Sequence, residues 1–101
     1  MQRRALSVRE QYEAHERERY GQPWSLEHIA LGLVGDVGDL VKLIQARGGM
    51  RDLPDVESAL EHELADVLWS LIVIADRCEI DLEGSFTRTM DELDGLLSAE
   101  S

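Results

Sequence analysis

The sequence predicts an all-α protein of four helices. Three observations carry this reading. β-Branched residues are sparse, apolar residues recur at intervals of three and four with no period-2 alternation, and Gly/Pro punctuation is widely spaced, at Gly21-Gln22-Pro23, Gly48-Gly49 and Pro54. The 101 residues form one expected domain, with residues 1–6 and 98–101 expected to be flexible. A chain this short leaves roughly a third of its surface unburied on folding, so its most apolar helices call for a second copy.

The first helix is expected over Ser7 to Tyr20, with Ser7 as N-cap and Glu10 closing a capping box. It is highly charged and is expected at the periphery. After the Gly21-Gln22-Pro23 break, Ser25 caps the second helix and Trp24 is placed to staple onto Ile29. The stripe Leu26, Ile29, Ala30, Leu33, Val37, Leu40, Ile44 marks the core-facing side of about six turns that stop at Gly48-Gly49. A polar loop through Pro54 leads to Asp55, the expected cap of a third helix that runs to about Cys78. This helix is apolar on most sides, with Leu60, Leu64, Val67, Leu71 and Ile74 on one face and Ala65, Trp69 and Ile72 on another, and is expected to be central. Asp81 caps the fourth helix, which carries Phe86, Met90, Leu93 and Leu97.

Composition excludes several functions. Ten Lys+Arg against 21 Asp+Glu give a formal charge of −11, and no basic cluster follows Arg4, so a nucleic-acid partner is not expected. The longest apolar run, Leu71 to Ala75, is far short of the roughly 20 residues that cross a bilayer. The charged stretch after Leu6 does not fit a secretory signal, which leaves a cytoplasmic protein without a membrane partner as the expectation. Cys78 alone allows no internal disulfide and no thiolate metal cage, and reads as a small core residue.

The chemistry rests on two acid pairs. Glu63 and Asp66, three apart on an otherwise apolar helix, share a face with Ser70, and a buried carboxylate must be protonated, paired or bound to a cation. Asp36 and Asp39 repeat the spacing on the second helix, beside His28 and Gly32. Gly32, Gly35 and Gly38 together cost about 3 kcal/mol in a helix interior, and close approach of a neighbouring helix or ligand is the expected compensation. Acids at this spacing also fit a solvated face. If all four converge, however, the all-oxygen site suits Mg²⁺ or Mn²⁺ far better than zinc, and the reaction class is phosphoanhydride hydrolysis.

The segments Leu33-Val34-Gly35-Asp36-Val37-Gly38-Asp39-Leu40 and Glu63-Leu64-Ala65-Asp66-Val67-Leu68-Trp69 resemble the MazG-like, all-α nucleoside triphosphate pyrophosphatases, over roughly Tyr20 to Leu93. That family's signature is E-x-x-E followed at a distance by E-x-x-D. Residues 75–82, Ala75-Asp76-Arg77-Cys78-Glu79-Ile80-Asp81-Leu82, are similar to the turn in its dCTP-pyrophosphatase branch. The resemblance implies a four-helix subunit that builds a homodimer or homotetramer. It implies Mg²⁺ held by Asp36, Asp39, Glu63 and Asp66 as catalytic ligands, and hydrolysis of a (deoxy)nucleoside triphosphate to monophosphate and pyrophosphate, in the service of nucleotide-pool house-cleaning.

Two departures from that pattern stand out. Both helix-2 glutamates of the family are aspartates here, and the Lys common on its last helix is absent from Thr89-Met90-Asp91-Glu92-Leu93. Arg88, Lys42 or Arg51 are the cations that could replace it. Trp24 and Trp69 are candidates to stack on a base, His28 to face base or phosphate, and Ser70 to hold a ligand oxygen, whereas His15 and His62 have no supporting neighbours in the sequence. The alternative is a catalytically weak or inactive relative that binds a nucleotide or protein.

Overall fold

Four helices make up the structure, a computed structural model that describes residues 1–49 and 55–100: α1 (Gln2–Tyr20), α2 (Leu26–Arg47), α3 (Val56–Arg77) and α4 (Leu82–Glu100). No strand occurs among the described residues, as the all-α reading expects. The loop through Pro54, with Arg51, lies outside them.

The boundaries follow local chemistry at most ends. Ser25 accepts the His28 backbone N–H at 3.3 Å to open α2, and Asp81 accepts the Gly84 N–H at 3.1 Å to open α4. Gly48 returns its N–H to the Ile44 carbonyl oxygen at 3.0 Å, and Gly49 turns the chain at φ +85°. At the end of α3, Ile80 donates to Ala75 at 2.9 Å and Glu79 to Asp76 at 3.1 Å, a Schellman motif that holds Glu79 at φ +57°.

Two expected caps do not form. α1 begins at Gln2, and Ser7 is an exposed residue within the helix, with no capping box at its start. Residues 2–6, Gln-Arg-Arg-Ala-Leu, are mostly good helix formers, and Ala5 is buried, so the helix extends through Ser7. Asp55 precedes α3 in the left-handed region, φ 52° and ψ 39°, and its side chain makes no cap hydrogen bond. An N-cap needs extended backbone to swing its oxygen over the first turn.

Contacts at both ends orient the helices. Arg47 pairs with Glu57 at 2.7 Å, and Arg77 donates to the Trp24 carbonyl oxygen at 3.3 Å, so α2 and α3 run antiparallel. Trp69 donates from Nε1 to the Ala5 carbonyl oxygen at 3.0 Å, and Arg77 pairs with Glu13 at 2.6 Å, so α1 runs parallel to α3. α3 is the central helix, as its composition implies, and supplies Leu60, Ile72, Val73 and Ala75 to a small core completed by Ile29 and Ala5.

Much apolar surface stays uncovered within one chain. Of the α2 stripe only Ile29 is buried, while Val37 and Ile44 are exposed, as are Leu64, Leu68 and Leu71 of α3. α4 has no packed interface with the other helices among the described residues, and Phe86, Met90, Leu93 and Leu97 face outward. Cys78 is exposed at the end of α3, not part of the core. The radius of gyration, 17.1 Å, exceeds the about 13 Å of a compact chain of this length, and the extents are 56 × 40 × 21 Å. Among the described residues, no helix is long and apolar enough to cross a membrane.

Candidate metal centre and adjoining cavity

α2 and α3 bring acids together because each carries them three apart, one turn of helix, on the faces that meet. Asp36, Asp39 and Glu63 each offer a carboxylate oxygen within 4.8 Å of the others. Asp66, one turn further along α3, instead pairs its Oδ2 with His62 Nε2 at 3.2 Å. His62, expected to have no supporting neighbour, therefore has one at the i, i+4 spacing of a helix.

Glu63 is the electrostatic focus of this group. Its Oε1 is sealed from solvent and accepts no hydrogen bond among the described residues. Burial, then the carboxyl of Asp36, with which it can share a proton, and then the charges of Asp39 and Asp66 push its pKa above the ordinary glutamate value. Like charges this close cannot all stay ionised without a counter-charge, and among the described residues no Lys or Arg forms an ion pair with any of the three. The donor set consists of hard carboxylate oxygens, one of them unpartnered, so it fits an oxygen-seeking divalent cation.

Beside the trio lies a cavity of about 950 Å³ between α1, α2 and α3. Asp36, Gly32, Asp66 and Ser70 form its acidic side. Tyr12, Tyr20, Trp24 and Trp69 supply flat apolar walls, with Tyr12 and Trp69 tilted by 52° at 5.7 Å. The remaining wall is α1: Arg9, His15, Glu16 and Arg19 line it, so this helix is not peripheral.

Three of the substrate-binding candidates, Trp24, Trp69 and Ser70, line this cavity, and Ser70 is buried. His28 does not; its Nδ1 lies 3.0 Å from Ser25 Oγ and its ring 6.3 Å from that of Trp24. Arg88 sits on α4, donates to Ser85 at 3.3 Å and takes no part in the cavity, and neither does exposed Lys42. A Cβ at Gly32, Gly35 or Gly38 would meet nothing within 4 Å. Close helix approach within the chain therefore does not explain these glycines, although Gly32 leaves its part of the cavity open.

The residues missed from sequence are those of α1. Ala5, Arg9, Tyr12 and Glu16 follow helical spacing, and the first, second and fourth are buried. Two buried positions are charged, Arg9 ion-paired with Glu16, so a search for an apolar stripe passes over them. The spacing of Ala5 and Tyr12, two turns apart, was the available signal.

Residues 24–95 match the MazG nucleotide pyrophosphohydrolase domain. This chain belongs to the MazG family. The MazG match opens at Trp24, so α1 and its cavity wall precede it. Over 79 residues this MazG chain is 37% identical to dCTP pyrophosphatase 1 of Rattus norvegicus and of Homo sapiens, and 35% identical to that of Mus musculus. The alignments cover 73% of this chain and 45% of each relative, so the chain spans less than half the length of the curated relatives it matches. No solved structure matches it.

Proposed function

We propose that this MazG chain is a Mg²⁺-dependent pyrophosphohydrolase that converts a (deoxy)nucleoside triphosphate to the monophosphate and pyrophosphate, as part of cytoplasmic nucleotide-pool house-cleaning. The observation that carries the reading is the carboxylate trio, with its unpartnered Glu63 oxygen, at the edge of an aromatic-walled cavity large enough for a nucleotide. The relatives named dCTP pyrophosphatase 1 make pyrimidine deoxynucleotides the first substrates to try.

In this reading Asp36, Asp39 and Glu63 hold the cation, and Asp66 joins them by leaving His62. A divalent ion bound there supplies neutralisation of phosphate charge and activation of water. The aromatic walls take the base, and Ser70 offers its hydroxyl to a ligand oxygen. Water adds across a phosphoanhydride bond, and its proton passes to one of the four acids. Mn²⁺ is a second candidate, because aspartates at 36 and 39 reach about 1 Å less than glutamates and a larger ion spans the gap. The bare apolar faces of α2, α3 and α4 support a homodimer or homotetramer.

The test is a panel of canonical nucleotides with Mg²⁺ or Mn²⁺, with phosphate and pyrophosphate measured separately. Pyrophosphate should appear, and Glu63→Gln or Asp66→Asn should stop it; release that persists in both variants rejects the site. A second reading, a binding protein without turnover, is favoured by the Asp66–His62 pair and by Arg88 lying away from the acids. It predicts thermal stabilisation by nucleotide with Mg²⁺ and no pyrophosphate.

A further inference from the structure

Glu16 stands more than nine-tenths buried in the α1 wall of the cavity, yet only one of its carboxylate oxygens is used. Arg9 Nη2 and the Trp24 backbone N–H, the latter at 2.6 Å, both donate to Oε1. Oε2 accepts no hydrogen bond among the described residues. The two donors come from different places, one from α1 and one from the turn before α2, so the carboxylate is clamped in position. Arg9 balances its charge, and the second oxygen, which is not sealed from solvent as the Glu63 Oε1 is, stays free to accept from a donor that enters the cavity.

What can arrive is constrained by the surroundings. Tyr12, Tyr20, Trp24 and Trp69 share this cavity and suit a planar ring, while Asp36 and Asp66 lie on its acidic side. A nucleotide with its phosphates toward those acids turns its base to the α1 wall. An ionised carboxylate oxygen only accepts, so it attracts an amino group on that base and repels a ring oxygen in the same place.

On the pyrophosphohydrolase reading above, we infer that Glu16 is a specificity-determining residue that selects nucleotides whose base carries an exocyclic amino group, cytosine or adenine, over their oxo counterparts, uracil or hypoxanthine. The amino group donates to Oε2, and the oxo base leaves two acceptors facing each other. A polar site that loses its partner in this way discriminates by tenfold or more, on the order of the loss expected for a hydrogen bond to a charged group.

The experiment compares matched deoxynucleotides, cytosine with uracil and adenine with hypoxanthine. Turnover of the triphosphates is measured as kcat/KM, and affinity of the monophosphates by calorimetry. The wild-type chain should favour the amino member of each pair by about tenfold or more. In Glu16→Gln the amide oxygen can keep Arg9 and Trp24 while its NH₂ faces the cavity, so the ratio should fall to about one or reverse. A wild-type ratio near one, or an unchanged ratio in the variant, overturns the assignment. The 2-pyrimidinone nucleotide, which lacks the amino group and adds no bulk, tests wild type alone if Glu16→Gln does not fold; it should bind more weakly than the cytosine nucleotide, and binding as tight as cytosine overturns the idea. Loss of affinity for a 3′-deoxy sugar, with no amino preference, would reassign Oε2 to the ribose and likewise overturn it. Amino preference in binding without turnover would sink the hydrolase reading and leave this assignment standing, whereas turnover without preference would do the reverse.

Discussion

Glu63 of α3 faces Asp36 of α2 with carboxylate oxygens within 4.8 Å, and the Glu63 Oε1 is sealed from solvent with no hydrogen-bond donor among the described residues. Neither carboxylate can donate to the other unless one is protonated. A proton or a divalent cation is what makes this contact favourable.

The pH dependence of the metal-free protein follows from that contact. Burial first, and the acids at 36, 39 and 66 next, raise the Glu63 pKa in the folded state. The folded state therefore holds the proton more tightly than the unfolded chain, so this contribution is fully present below the unfolded pKa and disappears as pH rises through the folded one. Glu63→Gln stays neutral throughout. In EDTA its melting temperature should exceed that of wild type at pH 8, and the gap should shrink as pH is lowered toward 5. A gap that is constant, or that widens on acidification, contradicts the raised pKa.

Added cation should reverse this order. At pH 8, Mn²⁺ or Mg²⁺ should raise the melting temperature of the wild-type chain in a concentration-dependent way, because binding to the folded state alone stabilises it. Asp39→Asn and Glu63→Gln should lose most of that rise, each removing one of the three clustered oxygens. Equal shifts in wild type and both variants would place the ion elsewhere.

Arg77 ties three parts of the chain together. It pairs with Glu13 of α1 at 2.6 Å and donates to the Trp24 carbonyl oxygen at 3.3 Å, at a site about three-quarters buried. Arg77→Ala should cost on the order of 1.5–3 kcal/mol, the range for hydrogen bonds to charged groups, and free α1 from α3. Amide exchange should speed up along α1 more than along α2, since α2 keeps its own interface with α3.

Glu79 lies at φ +57°, where an L side chain is strained and glycine is not. Glu79→Gly should stabilise the Schellman turn by up to about 1 kcal/mol, a rise of several degrees in the melting temperature of a domain this size. No change in chemical or thermal denaturation would mean that the turn relaxes in solution.

Where a residue's role depends on its own neighbours in the chain, it was legible beforehand. Ser25 and Asp81 cap helices because a short oxygen-bearing side chain suffices, and Gly48-Gly49 ends α2 because glycine tolerates the turn. Asp55 failed as a cap because its backbone is left-handed, a property its identity permits but does not dictate. Asp36, Asp39 and Glu63 stood out as acids beside apolar stripes, and antiparallel packing of α2 on α3 then brings them together. Asp66, chosen by the same spacing, turned to His62 because a histidine four residues earlier lies on the same helical face.

The amino-acid sequence by itself determined the helical class, the central place of α3 and the family, since periodicity, punctuation and a two-part acidic motif are all local in the chain. Only the tertiary structure decided that α1 walls the cavity, that Arg9 and Glu16 are buried as a pair, and that α4 has no packed interface with the other helices among the described residues. Burial and pairing depend on which surfaces meet. Arg9 and Glu16 read as a solvated face until the packing of α1 on α3 and the turn at Trp24 take them out of water.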